Sequence, residues 1–162
     1  MNLQAIANRV TSVALPNVDL VAIRCIGFKN DFGHMVESYG ACERLKAPKQ
    51  TLNGDELTFS NEIMQIEYAR KFYLSPNKGP LTSGRRHDQQ GASYLFELKT
   101  RLFWKVYNIS EDFQDTGWAL VFAAIDYSPP PAVKQALKDS GIGGPLEFDD
   151  LCEGLKDYAS AQ

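Results

Sequence analysis

From Ser93 to Tyr127 the chain alternates apolar and polar residues, and this pattern restricts the fold more than any other feature of the sequence. Tyr94, Phe96, Leu98, Thr100, Leu102, Trp104 and Val106 fall at even positions, with Glu97, Lys99, Arg101 and Lys105 between them. A period of two places the first set on one face of a strand, whereas a helix would scatter the same aromatics around its circumference. The stretch reads as one long strand, a turn over Asn108–Gly117 and a second strand, WALVFAAIDY. Tyr94, Phe96, Leu98, Leu102 and Trp104 form the expected core face. The second strand is apolar on both faces, so the side carrying Val121, Ala123, Ile125 and Tyr127 is expected to meet another subunit or a partner.

The other segments group around this hairpin. VDLVAIRCIGF (Val18–Phe28) reads as a strand covered on both faces, with Arg24 near a strand end or facing a carboxylate such as Asp126. Between Lys29 and Glu56 the apolar periodicity fails, and Gly33, Gly40, Pro48 and Asn53-Gly54 supply turn chemistry, which predicts a long functional loop. Phe32, Met35, Val36 and Tyr39 give that loop the means to form a short edge strand or helix, or a flap over an apolar groove. Leu57–Leu74 fits both a helical and an alternating template; the strand, interrupted near Asn61, is preferred because its aromatic and β-branched residues match those that follow. Ser75–Gly91 is a loop with a basic cluster at Arg85, Arg86 and His87, read as solvated charge because no aromatic residues are interleaved to stack bases. A short N-terminal helix carries Leu3, Ile6, Val10 and Val13. The prolines after Ser128 open a helix containing Val133, Ala136 and Leu137 that Gly141 closes, and a final helix carries Leu151, Leu155 and Tyr158.

At 162 residues the chain has the size of one domain, residues 1–162. A net charge of −3 with 44% hydrophobic and 23% charged residues points to a globular protein and selects no partner; nucleic acid is disfavoured, and no apolar run is long enough for a membrane span. The 3 cysteines, Cys25, Cys42 and Cys152, are odd in number and widely spaced, so they read as reduced thiols of a cytoplasmic protein. Cys42, in the expected loop, is the candidate reactive thiol. The N-terminus has no basic start followed by an apolar run and does not read as a secretory signal. There is no GxSxG, Walker loop, HExxH or dinucleotide fingerprint. No catalytic residue, cofactor or metal site is assigned, and the protein is read as not an enzyme. A scheme built on His34, His87 and Cys42 ranks last, because nothing in the sequence brings them together.

The order of a short helix, long antiparallel strands ending in a hairpin, and C-terminal helices resembles the SecB-like chaperone family. The matching segments are NLQAIANRV leading into VDLVAIRCIGF, then LTFSNEIMQIEYARKFYL, the pair SYLFELKTRLFWKVY and GWALVFAAIDY, and the helix after PPPAVKQAL. The resemblance implies an α+β fold: a long-stranded antiparallel sheet of about four strands, with the short N-terminal helix and the C-terminal helices packed on one face. The family's aromatic-proline-arginine motif is missing, since GGPLEFDDL occupies its place, and there is no metal-binding tail. The leader helix resembles the solitary members encoded with toxin–antitoxin pairs.

The implied function is a non-enzymatic holdase, a homo-oligomer (tetramer or dimer) that binds an unfolded polypeptide such as an antitoxin in an apolar groove. Phe32, Met35, Phe59, Tyr68, Phe72 and Phe103 are the candidate client-binding residues. The alternative is an adaptor or inhibitor of phage or mobile-element origin that binds one folded partner through an exposed sheet edge.

Overall fold

The computed structural model of the protein describes residues 16–56, 68–76, 80–84, 91–113 and 117–142. Six antiparallel strands make up most of it: β1 (Asn17–Asp31), β2 (His34–Thr51), β3 (Ala69–Leu74), β4 (Tyr94–Glu97), β5 (Phe103–Phe113) and β6 (Trp118–Ile125), followed by one helix, α1 (Pro131–Ser140). They close into a barrel in the order β1-β2-β3-β6-β5-β4. The placement of β4 beside β1, with β2 and β3 on the other side, is a Greek key. The expected antiparallel sheet is therefore present, but as a closed wall of six strands with little helix rather than about four strands under a helical layer. The N-terminal helix and the helix around Leu151–Tyr158 lie outside the described residues.

Alternation is the reason for closure. Leu20 and Ala22, Leu45 and Ala47, Phe72 and Leu74, Leu95, Trp104 and Val106, and Ala119, Val121 and Ala123 all point inward, one set from each strand, and all are buried. Alternating small and large residues let side chains from all six strands interdigitate in a narrow barrel interior. Phe72 and Trp104 meet edge to face across this interior, ring centroids 5.4 Å apart.

The opposite parity builds two outer layers. Val21, Ile23, Tyr94, Phe96 and Phe103 are covered by Val133 and Leu137 of α1. On the other flank Leu120 and Phe122 pack with Leu52, Ala69 and Tyr107. The helix forms as its sequence predicts: Pro residues at its first turn need no N–H partner, and Gly141 ends it at φ 65° with its N–H on Lys138 O.

Three expectations change. The Ser93–Val106 alternation is two strands, because the chain reverses at Leu98–Arg101: Arg101 takes φ 59°, and Arg101 N donates to Glu97 O at 2.8 Å. Tyr94 pairs with Lys105 and Phe96 with Phe103, an even position with an odd one each time. Even positions thus change sides at the turn, leaving Tyr94 and Phe96 under α1 while Leu102 and Trp104 face the interior. The run of alternation is unbroken across the reversal, so a period count cannot see it.

The expected loop after Lys29 is instead strand β2, joined to β1 by a two-residue turn at Phe32-Gly33, and β5 continues to Phe113 through the expected turn. Asn53 and Glu56 cap a helical turn at 54–56 reciprocally: Asn53 N donates to Glu56 Oε2 at 2.7 Å and Glu56 N to Asn53 Oδ1 at 2.8 Å. Of the ambiguous Leu57–Leu74 segment, Ala69–Leu74 is strand, as preferred, and the part around Phe59 and Asn61 lies outside the described residues.

Candidate functional site: a hairpin arm on a plugged barrel

The barrel interior is closed by charge at both ends. Along β2 the inward residues run Glu43, Leu45, Ala47, Lys49, so two apolar layers lie between two charged ones. At one end Arg24, on β1, is buried and donates through Nη2 to Glu43 Oε2 at 2.6 Å and through Nη1 to Ala41 O at 2.7 Å. The carboxylate that Arg24 faces is Glu43, not Asp126. At the other end the Glu97 side chain is 2% exposed and accepts from Lys49 Nζ at 2.8 and 3.0 Å and from Trp104 Nε1 at 3.2 Å. Lys49 also lies 5.6 Å from the Trp104 ring centroid, a cation–π contact. Each buried charge is held by an opposite charge and by hydrogen bonds, the condition under which burial is tolerated.

Beyond the Arg24 end, β1 and β2 run on together as a two-stranded arm. Their register slips between Ala22 and Arg24 and again between Cys25 and Gly27, and the backbone takes positive φ at Ala41 (46°) and Gly27 (133°). Two successive bulges bend and twist a ribbon at the point where it leaves a sheet. β4 accompanies β1 only over Leu20–Ile23, and β3 accompanies β2 only over Lys49–Thr51. Among the described residues the arm therefore has a strand neighbour on neither outer edge over Ile26–Asp31 and His34–Gly40.

Of the six exposed large hydrophobic residues among those described, four lie on the arm, Ile26, Phe28, Met35 and, at its tip, Phe32, which is 100% exposed; the other two are Phe113 and Tyr127. Phe28 pairs with Glu37 and Asn30 with Met35, so Phe28 and Met35 lie on one face as diagonal neighbours. The base of that face is anchored: Tyr39 meets Tyr94 edge to face at 5.8 Å and donates to Glu37 Oε2 at 2.5 Å, and Tyr94 donates to Asp126 Oδ2 at 2.8 Å. Burial pushes both phenols above their ordinary pKa, and these carboxylate hydrogen bonds push them further the same way. The Glu37 carboxylate packs so closely over Gly91 that a Cβ there has no room.

The other hairpin tip behaves differently. Phe113 of β5 stacks on Trp118 of β6, centroids 4.8 Å apart and planes 22° apart. Phe32 meets no other ring among the described residues, although φ 49° is an unfavourable conformation for a bulky residue. A shallow cleft of about 450 Å³ lies at the arm's neck, between Tyr39–Cys42 on β2 and Ala136, Asp139, Ser140 and Ile142 at the end of α1.

The candidate client residues separate accordingly. Phe32 and Met35 come together at the arm's end. Phe72 is in the barrel interior and Phe103 under α1, both 0% exposed, and Tyr68 is half-buried with its carbonyl taken by Ile125 N. Phe59 lies outside the described residues. On the candidate partner face Val121 and Ala123 point into the barrel, Ile125 packs against the same interior, and Tyr127 is exposed beyond β6. The outward face of β6 is the one with Leu120 and Phe122, already buried against Leu52 and Ala69. Cys42 is on a strand, 7% exposed, with its thiol donating to Ala136 O at 3.5 Å; Cys25 is buried as expected. His34 opens β2, and His87 is outside the described residues.

Ile26 and Phe28 were not among the candidates, because an apolar run reads as a covered strand. Gly27 between them and the polar Lys29-Asn30-Asp31 after them are the available signals of an exposed ribbon.

The chain is thus a small closed antiparallel barrel with a projecting hairpin. It matches no family model and no curated protein. Among the described residues no helix is long and apolar enough to cross a membrane.

Proposed function

We propose that the protein is a non-catalytic polypeptide-binding protein of the cytoplasm, a holdase that keeps an unfolded or aggregation-prone segment, such as an antitoxin, from associating with itself. One observation carries this reading: a two-stranded arm runs on beyond the barrel with, among the described residues, no strand paired to either outer edge over Ile26–Asp31 and His34–Gly40, and with Ile26, Phe28, Phe32 and Met35 exposed. Open strand edges accept an extended peptide by main-chain pairing, and alternate side chains on the added strand then meet the apolar face of Phe28 and Met35. The binding surface in this reading is the arm, in place of a groove on the sheet. A SecB-like chaperone associated with a toxin–antitoxin pair, acting as a dimer or tetramer, is the form of this reading that the sequence resemblance suggests.

The second reading, an adaptor or inhibitor for one folded partner, is favoured by Phe32 itself, because an aromatic fixed in a tight turn suits one preformed pocket. A light-scattering assay with a chemically denatured client separates the two. A holdase suppresses aggregation in proportion to its concentration, and Phe28→Ser with Met35→Ser abolishes the effect while the fold persists. Failure of the parent protein to suppress aggregation of any unfolded client sinks the first reading.

A further inference from the structure

We infer that two copies of this chain associate through their arms, β2 beside β2, with Phe32 of each seated in the neck cleft of the other. The turn that carries Phe32 has φ 49° there and 87° at Gly33, a two-residue hairpin geometry that selects Asn and Gly. A fully exposed phenylalanine in that position gains nothing inside its own chain to offset the strain.

The cleft is the complementary feature. It lies on the β2 side of the arm, against Tyr39, Gly40 and Cys42, with Ala136, Asp139 and Ile142 opposite. A partner's tip that reaches it must come alongside β2, whose edge from His34 to Gly40 is open among the described residues. From Phe32 to Gly40 is eight residues, roughly 26 Å of strand. Two arms laid antiparallel over that length bring the tip of each to the neck of the other, about a two-fold axis near Val36.

The pairing is isologous and closes after two copies. It sets His34 opposite Ser38 and Met35 opposite Glu37, so no like charges meet across the axis. Two Phe32 rings at about 200 Å² each supply roughly a third of the 1,200 Å² or so buried by the smaller specific interfaces. The paired edges, Met35 and the cleft walls supply the rest. The product is a four-stranded ribbon carrying Phe28 and Met35 from both copies on one face, with the two β1 edges left outermost.

Sedimentation of the full-length protein tests the assembly, and a disulfide tests the seat. The parent chain is expected to sediment as a dimer. Phe32→Gly, which suits the turn better, is expected to weaken dimerisation by at least about tenfold while retaining the parent's melting temperature or exceeding it. Phe32→Cys combined with Gly40→Cys in a Cys42→Ser background, oxidised with glutathione disulfide, is expected to give a covalent dimer in which peptide mapping joins position 32 of one chain to position 40 of the other, the positions that the pairing sets opposite, and either new cysteine alone does not give that link. A monomeric parent chain, a dimer indifferent to Phe32→Gly, or a dimer whose position 32 never links to position 40 overturns the inference. A monomeric parent that still suppresses client aggregation overturns the arm exchange alone and leaves the holdase reading standing.

Discussion

The two ends of the barrel interior solve the same problem with different degrees of dryness. At the Arg24 end both partners are almost completely buried, their side chains 4% and 7% exposed, and the guanidinium divides its donors between Glu43 and a backbone carbonyl. At the Glu97 end the carboxylate is equally buried, but Lys49 remains 26% exposed and Trp104 shares the task of holding it. Arginine's planar fork suits the dry end, where several acceptors lie in fixed directions; lysine's flexible stem suits the wet one, where the ammonium can keep part of its hydration. The dry pair stands where the wall ends and the arm begins. It ties β1 to β2 at the two bulges, so it serves as the hinge block of the arm as well as a plug.

This contrast predicts a graded series. Arg24→Met removes the guanidinium partner of a buried Glu43 carboxylate and should cost about 3–5 kcal/mol, read by denaturant unfolding. Adding Glu43→Leu should return most of that loss, and a double variant no more stable than the single one would show that the pair orders the bulges beyond its charge balance. Lys49→Met should cost less, about 2–3 kcal/mol, because Trp104 still donates to Glu97 and solvent is near. Equal losses for Arg24→Met and Lys49→Met would erase the distinction between the ends. Trp104→Phe removes one hydrogen bond to a charged group and the cation–π contact while keeping the ring against Phe72, and should cost about 1–2 kcal/mol.

The smallest effect is on pH, and it belongs to the Arg24 end. Tyr39 and Tyr94 are both raised in the folded protein, so the unfolded chain gives up its phenolic protons first, near pH 10. Their contribution is constant below that pH and is lost as the pH rises above it. Alkaline unfolding followed by phenolate absorbance should show this fall, and Tyr39→Phe with Tyr94→Phe should flatten it. An unchanged alkaline limb in that variant would remove these two phenols as its source.

How far the sequence spoke for the fold depended on whether a local rule matched a local cause. Pro129–Pro131 and Gly141 delimit α1 because capping is a property of a few adjacent residues. Ala69–Leu74 follows from its alternation. β2 reads as loop in sequence for three physical reasons: its inward positions include Glu43 and Lys49, Gly40 and Pro48 carry turn chemistry elsewhere, and the bulge near Ala41 shifts the period midway. A buried charge is legible only once its partner is known, and Glu97 lies far along the chain from Lys49. The same limit divides the candidate site. Phe32 and Met35 read in sequence as adhesive residues of a loop and stand exposed at the arm's end, whereas Phe72 and Phe103 carry the same chemistry and are interior. Hydrophobicity alone does not distinguish an exposed residue from a core residue.

The strand order also sets a timetable. β1 has one neighbour, β2, directly after it in the chain, and another, β4, that begins only at Tyr94. At about 5–20 residues per second, the interval between the ribosome's completing β2 and its reaching β4 is roughly 2–9 s. Within it only β3 is added among the described strands, pairing with the far end of β2 at Lys49–Thr51, so the outer edge of β1 stays without its barrel neighbour until β4 emerges. That edge's first opportunity to meet another strand therefore precedes the barrel, and the length of that opportunity is governed by translation speed and not by the stability of the finished protein.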